Sequence, residues 1–297
     1  MQRGIDTCAL LGRFEDPSVG ETAALLLPHL AARGLTTLVQ ASADCRRFAG
    51  LVSPVADEVL VERAQLGIVI GGDGSLRYAA RLVAGSGLPL LGINRGRLGF
   101  LTDVMPQDML ASVDAALEGR CETDERPLLE ARIVSPGRED RCQLALNDVV
   151  LSKWETGRIL DFETYVDGRY VNTHGGDGLV VASATGSTAY ALSCGGPIVD
   201  PSLDVLVVVP ICPHTLSDRP IVVPRQARVS VRLQERADTR AQVTCDGVVL
   251  DELTPGEDLR IAPSPARLRL LHPPGYDYFR LLRAKLHWGR GSFDHQR

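Results

Sequence analysis

An apolar run, Leu66-Gly67-Ile68-Val69-Ile70, ends in Gly71-Gly72-Asp73-Gly74-Ser75, after which a helical pattern begins. Strand, tight turn, helix is a phosphate-site geometry: glycines let the backbone approach closely, and the free N–H groups of a helix start face an anion. Asp73 is out of place there as a phosphate ligand. An acidic side chain beside phosphate has work to do only if it holds a metal or accepts a proton from an attacking hydroxyl; otherwise it merely caps the helix. The turn is neither a G-x-x-x-x-G-K-[ST] nor a G-x-G-x-x-G element, and the chain has no H-E-x-x-H or G-x-S-x-G.

A second glycine-rich stretch runs from Gly175 to Pro201. Its small residues admit a flat ligand to the backbone. Thr185, Ser187, Thr188 and Ser193 supply hydroxyls, Tyr190 an amphipathic ring and Asp177 a carboxylate for an amide or sugar hydroxyl. Asn147 and Asp148 interrupt an apolar strand pattern and need polar partners, from a ligand or from a turn. Arg95 and Arg97 follow another strand end, where they face either phosphate or solvent.

These residues must be positioned by two kinds of architecture. Up to about residue 125, short apolar runs alternate with helical stretches, the pattern of a parallel sheet with crossover helices. Met109, Val113 and Leu117 mark one helix between Pro106 and Gly119, and Pro28 is expected to kink or shorten the first. Beyond residue 125 the period falls to two, with turn signals at Asp167-Gly168 and Asp246-Gly247. About ten strands are expected there, as a sandwich or barrel. A last helix, capped by Asp277, is expected to bury Phe279, Leu282 and Leu286.

The 297 residues suit two domains, and 44% hydrophobic with 23% charged residues excludes a disordered or fibrous chain. A net charge of -5 argues against a surface built for nucleic acid or anionic lipid, so any anion is bound locally. Seven scattered cysteines without a C-x-x-C suit a reducing compartment rather than a disulfide or zinc framework. With no apolar leader and no spanning segment, a cytoplasmic protein without membrane partners is expected.

Six segments in order resemble the NAD kinases of bacteria: residues 70–75, 92–103, 146–151, 177–198, 212–223 and 281–289. The resemblance implies phosphorylation of NAD by ATP at the 2′-hydroxyl of the adenosine ribose, giving NADP, with a divalent metal, expected to be Mg²⁺, whose ligands it leaves unassigned. It implies an N-terminal Rossmann-like α/β domain (residues 1–125, completed by 276–297) and a β-sandwich domain (126–275), in a homo-oligomer, dimer or tetramer. Asp73 becomes the candidate base, with Gly74 beside it in the dinucleotide site and Gly71, Gly72 and Ser75 near the ATP phosphates. Asn147 and Asp148 are assigned to the adenosine portion. Asp177, Thr188, Ala189, Tyr190, Ala191, Leu192, Ser193 and Gly247 surround the dinucleotide, with Asp177 and Ala189 toward the nicotinamide amide.

The chain departs from the family pattern in places. Ser75 replaces a threonine, and Ala182-Ser183-Ala184 stands where Ser-Thr-Pro is usual. Gly175 replaces a basic residue, with Arg158 as a substitute anion contact. The competing functions are a related kinase acting on a lipid or sugar phosphate, which calls for a basic or amphipathic membrane face, and a non-catalytic NAD(P) sensor.

Overall fold

The computed structural model describes residues 4–96, 98–154, 159–234 and 240–288, which form two compact units, 1–125 with 268–297, and 126–267.

The first unit alternates strands and helices: β1 (Thr7–Leu11), α1 (Pro17–Ala32), β2 (Thr36–Gln40), β3 (Ser53–Val55), α2 (Asp57–Arg63), β4 (Leu66–Ile70), α3 (Asp73–Leu82), β5 (Pro89–Ile93) and α4 (Met109–Leu117). The strands are parallel in the order β5-β4-β1-β2-β3. β4 is buried at every position, as expected of a strand covered on both faces. The order reverses between β1 and β4, and in such sheets ligands bind outside the carboxyl ends of the strands at that reversal. Gly12, after β1, comes so close to β4 that an added Cβ would lie 2.9 Å from the Ile70 carbonyl. The glycine turn that opens α3 is therefore at the reversal.

Helix α1 continues through Pro28 to Ala32, so the proline does not end it. Leu26, Leu27 and Leu30, all buried, anchor the helix on both sides of it. Met109 and Val113 of α4 are buried as their spacing predicts.

The second unit is antiparallel. From the end of β6 (Glu122–Val134) it runs through β7 (Arg141–Ala145), β8 (Asp148–Lys153), β9 (Leu160–Val166), β10 (Arg169–Gly176), β11 (Gly178–Ser183) and the short helix α5 (Tyr190–Ser193). It continues with β12 (Val205–Ile211), β13 (Ile221–Pro224), β14 (Val229–Leu233), β15 (Ala241–Cys245), β16 (Val248–Leu253) and the long β17 (Asp258–His272). One sheet is ordered β13-β12-β11-β8-β15-β16; the other contains β10-β9-β14-β17, with β6 against β17 and β7 against β6. Phe162, Val231 and Leu259 of one sheet pack with Val149, Val181 and Val243 of the other in one core, which makes a sandwich.

From Leu268 onward, β17 belongs to the first unit, where Arg269 and Leu270 pair in parallel with Pro89 and Leu90 of β5. The chain then forms α6 (Tyr278–Leu286), whose start is capped by Asp277 accepting the N–H groups of Phe279 and Arg280. The buried side chains of α6 are Leu281 and Leu282, whereas Phe279 is 59% exposed. Spacing alone misplaced that face because a helix of nine residues carries two apolar stripes that overlap at Leu282.

Candidate active site

In the first unit, Gly72 caps α3 in an extended conformation and Asp73 is its first helical residue. Gly71 is buried against the helix, where a Cβ would lie 2.2 Å from the Ser75 hydroxyl. Asp73 does not cap its own helix; its carboxylate turns to the segment after β5. Oδ1 accepts the N–H groups of Leu101 at 3.0 Å and Thr102 at 3.2 Å, and the Thr102 hydroxyl at 3.2 Å. Oδ2 accepts one bond, from the Phe100 N–H at 2.9 Å. Oδ1 is crowded by its three donors, whereas Oδ2 meets one among the described residues. Oδ2 thus keeps one lone pair available for a hydroxyl. Gly99 makes the approach possible, since a Cβ there would lie 2.1 Å from Asp73 Oδ1 and 2.4 Å from Thr102 Oγ1.

The two arginines of the neighbouring segment, left open between phosphate and solvent by the sequence, fare differently. Arg95 pairs with Asp16, beyond β1, while Arg97 and also Arg158 lie outside the described residues. Gly74 is exposed on the first turn of α3.

In the second unit, the break in the apolar pattern is the junction of two strands: Asn147 lies between β7 and β8, and Asp148 opens β8. Their polar partner is Asp246, whose carboxylate accepts the N–H groups of Leu146 at 2.9 Å, Asn147 at 2.7 Å and Asp148 at 3.3 Å. Asp246 and Gly247 both have positive φ, 52° and 79°, the tight hairpin between β15 and β16 that an Asp-Gly pair favours. The turn signal was legible in sequence; the second job of its aspartate was not.

Ser183 ties the same junction to the end of β11. Its hydroxyl donates to the Leu146 carbonyl at 2.6 Å and accepts the Gly186 N–H at 3.2 Å, and its own N–H reaches the Asn147 carbonyl at 2.8 Å. Gly186 is packed against that carbonyl, where a Cβ would come within 2.0 Å. Two of the hydroxyls suited to a ligand are spent internally: Ser187 bonds Ala184 and Val199, and Thr185 accepts from buried Arg126. Thr188 reaches the Thr185 carbonyl at 3.4 Å. The Asn147 side-chain oxygen is buried and meets no donor among the described residues.

Ala189 links the Thr185–Thr188 turn to α5, where Tyr190 and Ser193 are exposed, Leu192 is half-buried and Ala191 is buried. Burial pushes the Tyr190 phenol up from its ordinary value, with the Cys194 thiol, Cys212 and Asp177 adding to it. Burial likewise raises the Cys194 thiol, against a hydrogen bond from Tyr190 and with Cys212 and Asp148 contributing upward. Asp177 thus acts on the Tyr190 phenol and Asp148 on the Cys194 thiol, with the phenol and the thiol in contact. Asp177 is held by Lys153 Nζ at 2.5 Å. Gly175, in β10, faces the Asp161 carboxylate, 3.0 Å from where its Cβ would be. Lys153 and Arg126 are site neighbours that no local sequence signal marks.

An α/β unit with an acidic glycine turn at its strand reversal, together with a β-sandwich carrying a polar cluster of small residues, defines a nucleotide phosphotransferase architecture. The sequence matches the ATP-NAD kinase N-terminal domain over residues 33–121 and the ATP-NAD kinase C-terminal domain over 146–272. It is 42% identical to an NAD kinase of Nitrosococcus oceani over 98% of this chain and 99% of that protein. The chain belongs to the NAD kinase family. Its fold is also that of a yeast NADH kinase solved with NADH, with a TM-score of 0.88, 21% identity and coverage of 100% of this chain and 91% of that one. An Archaeoglobus fulgidus NAD kinase solved with ATP gives a TM-score of 0.69 at 24% identity, covering 95% and 98%.

Proposed function

We propose that this NAD kinase transfers the terminal phosphoryl group of ATP to the 2′-hydroxyl of the adenosine ribose of NAD, with Asp73 as the base. The observation that carries the assignment is the state of its carboxylate: three backbone amides hold it while Oδ2 accepts one bond among the described residues. As the ribose oxygen attacks the γ-phosphorus, its proton passes to Oδ2 and the bond to the β-phosphate bridging oxygen breaks, releasing ADP. Such proton transfer contributes about 10²- to 10⁴-fold. Asn147, Asp148, Asp177 and the Thr188–Ser193 stretch are proposed to bind NAD, and Gly247, at the hairpin tip, borders them. The orphaned Asn147 oxygen supports this role by its need for a donor such as an adenine amino group.

Gly71, Gly72 and Ser75 are proposed to lie near the ATP phosphates. The described residues hold no group of three or more His, Cys, Asp or Glu arranged for a metal. Mg²⁺ is proposed as the divalent ion that accompanies ATP, where it would offset the charge of the phosphates.

A homo-oligomer is supported by apolar side chains exposed on the second unit, among them Leu216 at 92% and Tyr170 at 58%. A reducing, cytoplasmic setting is supported by seven free cysteines. Among the described residues no helix is long and apolar enough to cross a membrane.

The test is NADP formation from NAD, ATP and Mg²⁺, read by an NADP-specific dehydrogenase, for the wild type beside Asp73→Asn. Turnover in the wild type with loss of at least about 100-fold in kcat for the variant is expected. Near-normal turnover by a folded Asp73→Asn protein would remove Asp73 from the base role.

A further inference from the structure

Helix α3 carries a guanidinium one turn beyond Asp73, at Arg77. Residues four apart share a helix face, so an Asp73–Arg77 ion pair is what local geometry favours. It does not form. The Asp73 carboxylate is committed to Phe100, Leu101 and Thr102, and among the described residues Arg77 makes no hydrogen bond or ion pair. Its Nε is buried and without an acceptor. Its Nη2 lies over the neighbouring glycine, 3.8 Å from where a Cβ on Gly74 would be.

A half-buried guanidinium without an acceptor is costly, and a planar fork of donors matches the oxygens of phosphate. The nearest ligand oxygens that Asp73 implies are those of the phosphoryl group arriving at its nucleophile. We infer that Arg77 contacts that group during transfer and holds the 2′-phosphate of the NADP product. The inference rests on Asp73 being the base.

The test compares Arg77→Leu and Arg77→Lys with the wild type, using calorimetric Kd values for NAD and for NADP, steady-state kinetics, and thermal melting as the check of folding. For Arg77→Leu, NADP affinity is expected to fall roughly 10- to 100-fold relative to NAD affinity. kcat falls by a similar factor while KM for NAD changes little. Arg77→Lys retains the charge without the fork and should fall between the two, which keeps the inference testable if the leucine variant does not fold. An unchanged ratio of NADP to NAD affinity in either folded variant would overturn it. Failure of the wild type to bind either nucleotide would instead overturn the functional assignment on which it rests.

Discussion

Oδ1 of Asp73 accepts the backbone N–H of Leu101 at 3.0 Å, across 28 residues of sequence. The glycine turn and the segment after β5 therefore form one device: the first supplies the carboxylate, the second aims it. Gly99 is the spacer between them. Gly99→Ala would place a methyl group 2.1 Å from that oxygen, so the carboxylate or the 99–102 backbone must shift. A displacement of about 1 Å at a reacting group costs about 100-fold. Kinetics of Gly99→Ala should show that loss in kcat, with KM for NAD within a few-fold of wild type; unchanged kcat would mean that the spacing does not matter.

Asp246 does for the second unit what Asp73 does for the first, holding a turn through three amides. Asp246→Ala strands these buried donors and also removes a residue type that tolerates positive φ. A loss of about 3 to 5 kcal/mol in unfolding free energy is expected by urea denaturation. Asp246→Asn keeps the turn and one acceptor oxygen, so its loss should be smaller. Equal losses for the two variants would show that the charge alone matters.

Ala184 has φ −55° and ψ −39° and follows the last residue of β11. This φ already suits proline, and a residue leaving a strand suits the position before one. Ala184→Pro should therefore raise stability by about 0.4 to 1 kcal/mol through the unfolded state. Differential scanning calorimetry would check the sign. A fall in Tm would mean that the ring clashes with its neighbours.

Glu257 supplies a pH dependence within the sandwich. Burial alone would raise its carboxyl, but hydrogen bonds from Ser135, Thr254 and Arg141 win and hold it below the ordinary value of 4.5. A folded-state value below the unfolded one gives stability that is present above 4.5 and lost as pH falls through the folded value. Glu257→Gln should be less stable than wild type from pH 5 to 7, with the gap closing under more acidic conditions. Urea midpoints across that range would measure it. A gap independent of pH would put the stabilisation in hydrogen-bond geometry instead of charge.

Lys153 and Asp177 illustrate where the sequence falls silent. Asp177 stands in a conspicuous glycine-rich stretch; the lysine that holds it is one cation at the end of an apolar strand. The two meet because β8 and β11 are antiparallel neighbours, with Ser152 opposite Gly178. No local pattern specifies which strands pair. For the same reason the break at Asn147 and Asp148 was legible, whereas the hairpin aspartate about 100 residues away that holds it was not.

The sequence by itself determined the local conformations: period-two and period-four apolar patterns, an Asp-Gly hairpin, an Asp277 cap, and glycines where the backbone needs space. These follow from each residue's own sterics and hydrogen-bonding capacity, and the family motifs are short runs of the same kind. Only the tertiary structure decided how each polar group is spent. Asp73 bonds to three amides delivered from a distant segment and not to Arg77 one turn away, and that arrangement leaves the guanidinium without an acceptor among the described residues.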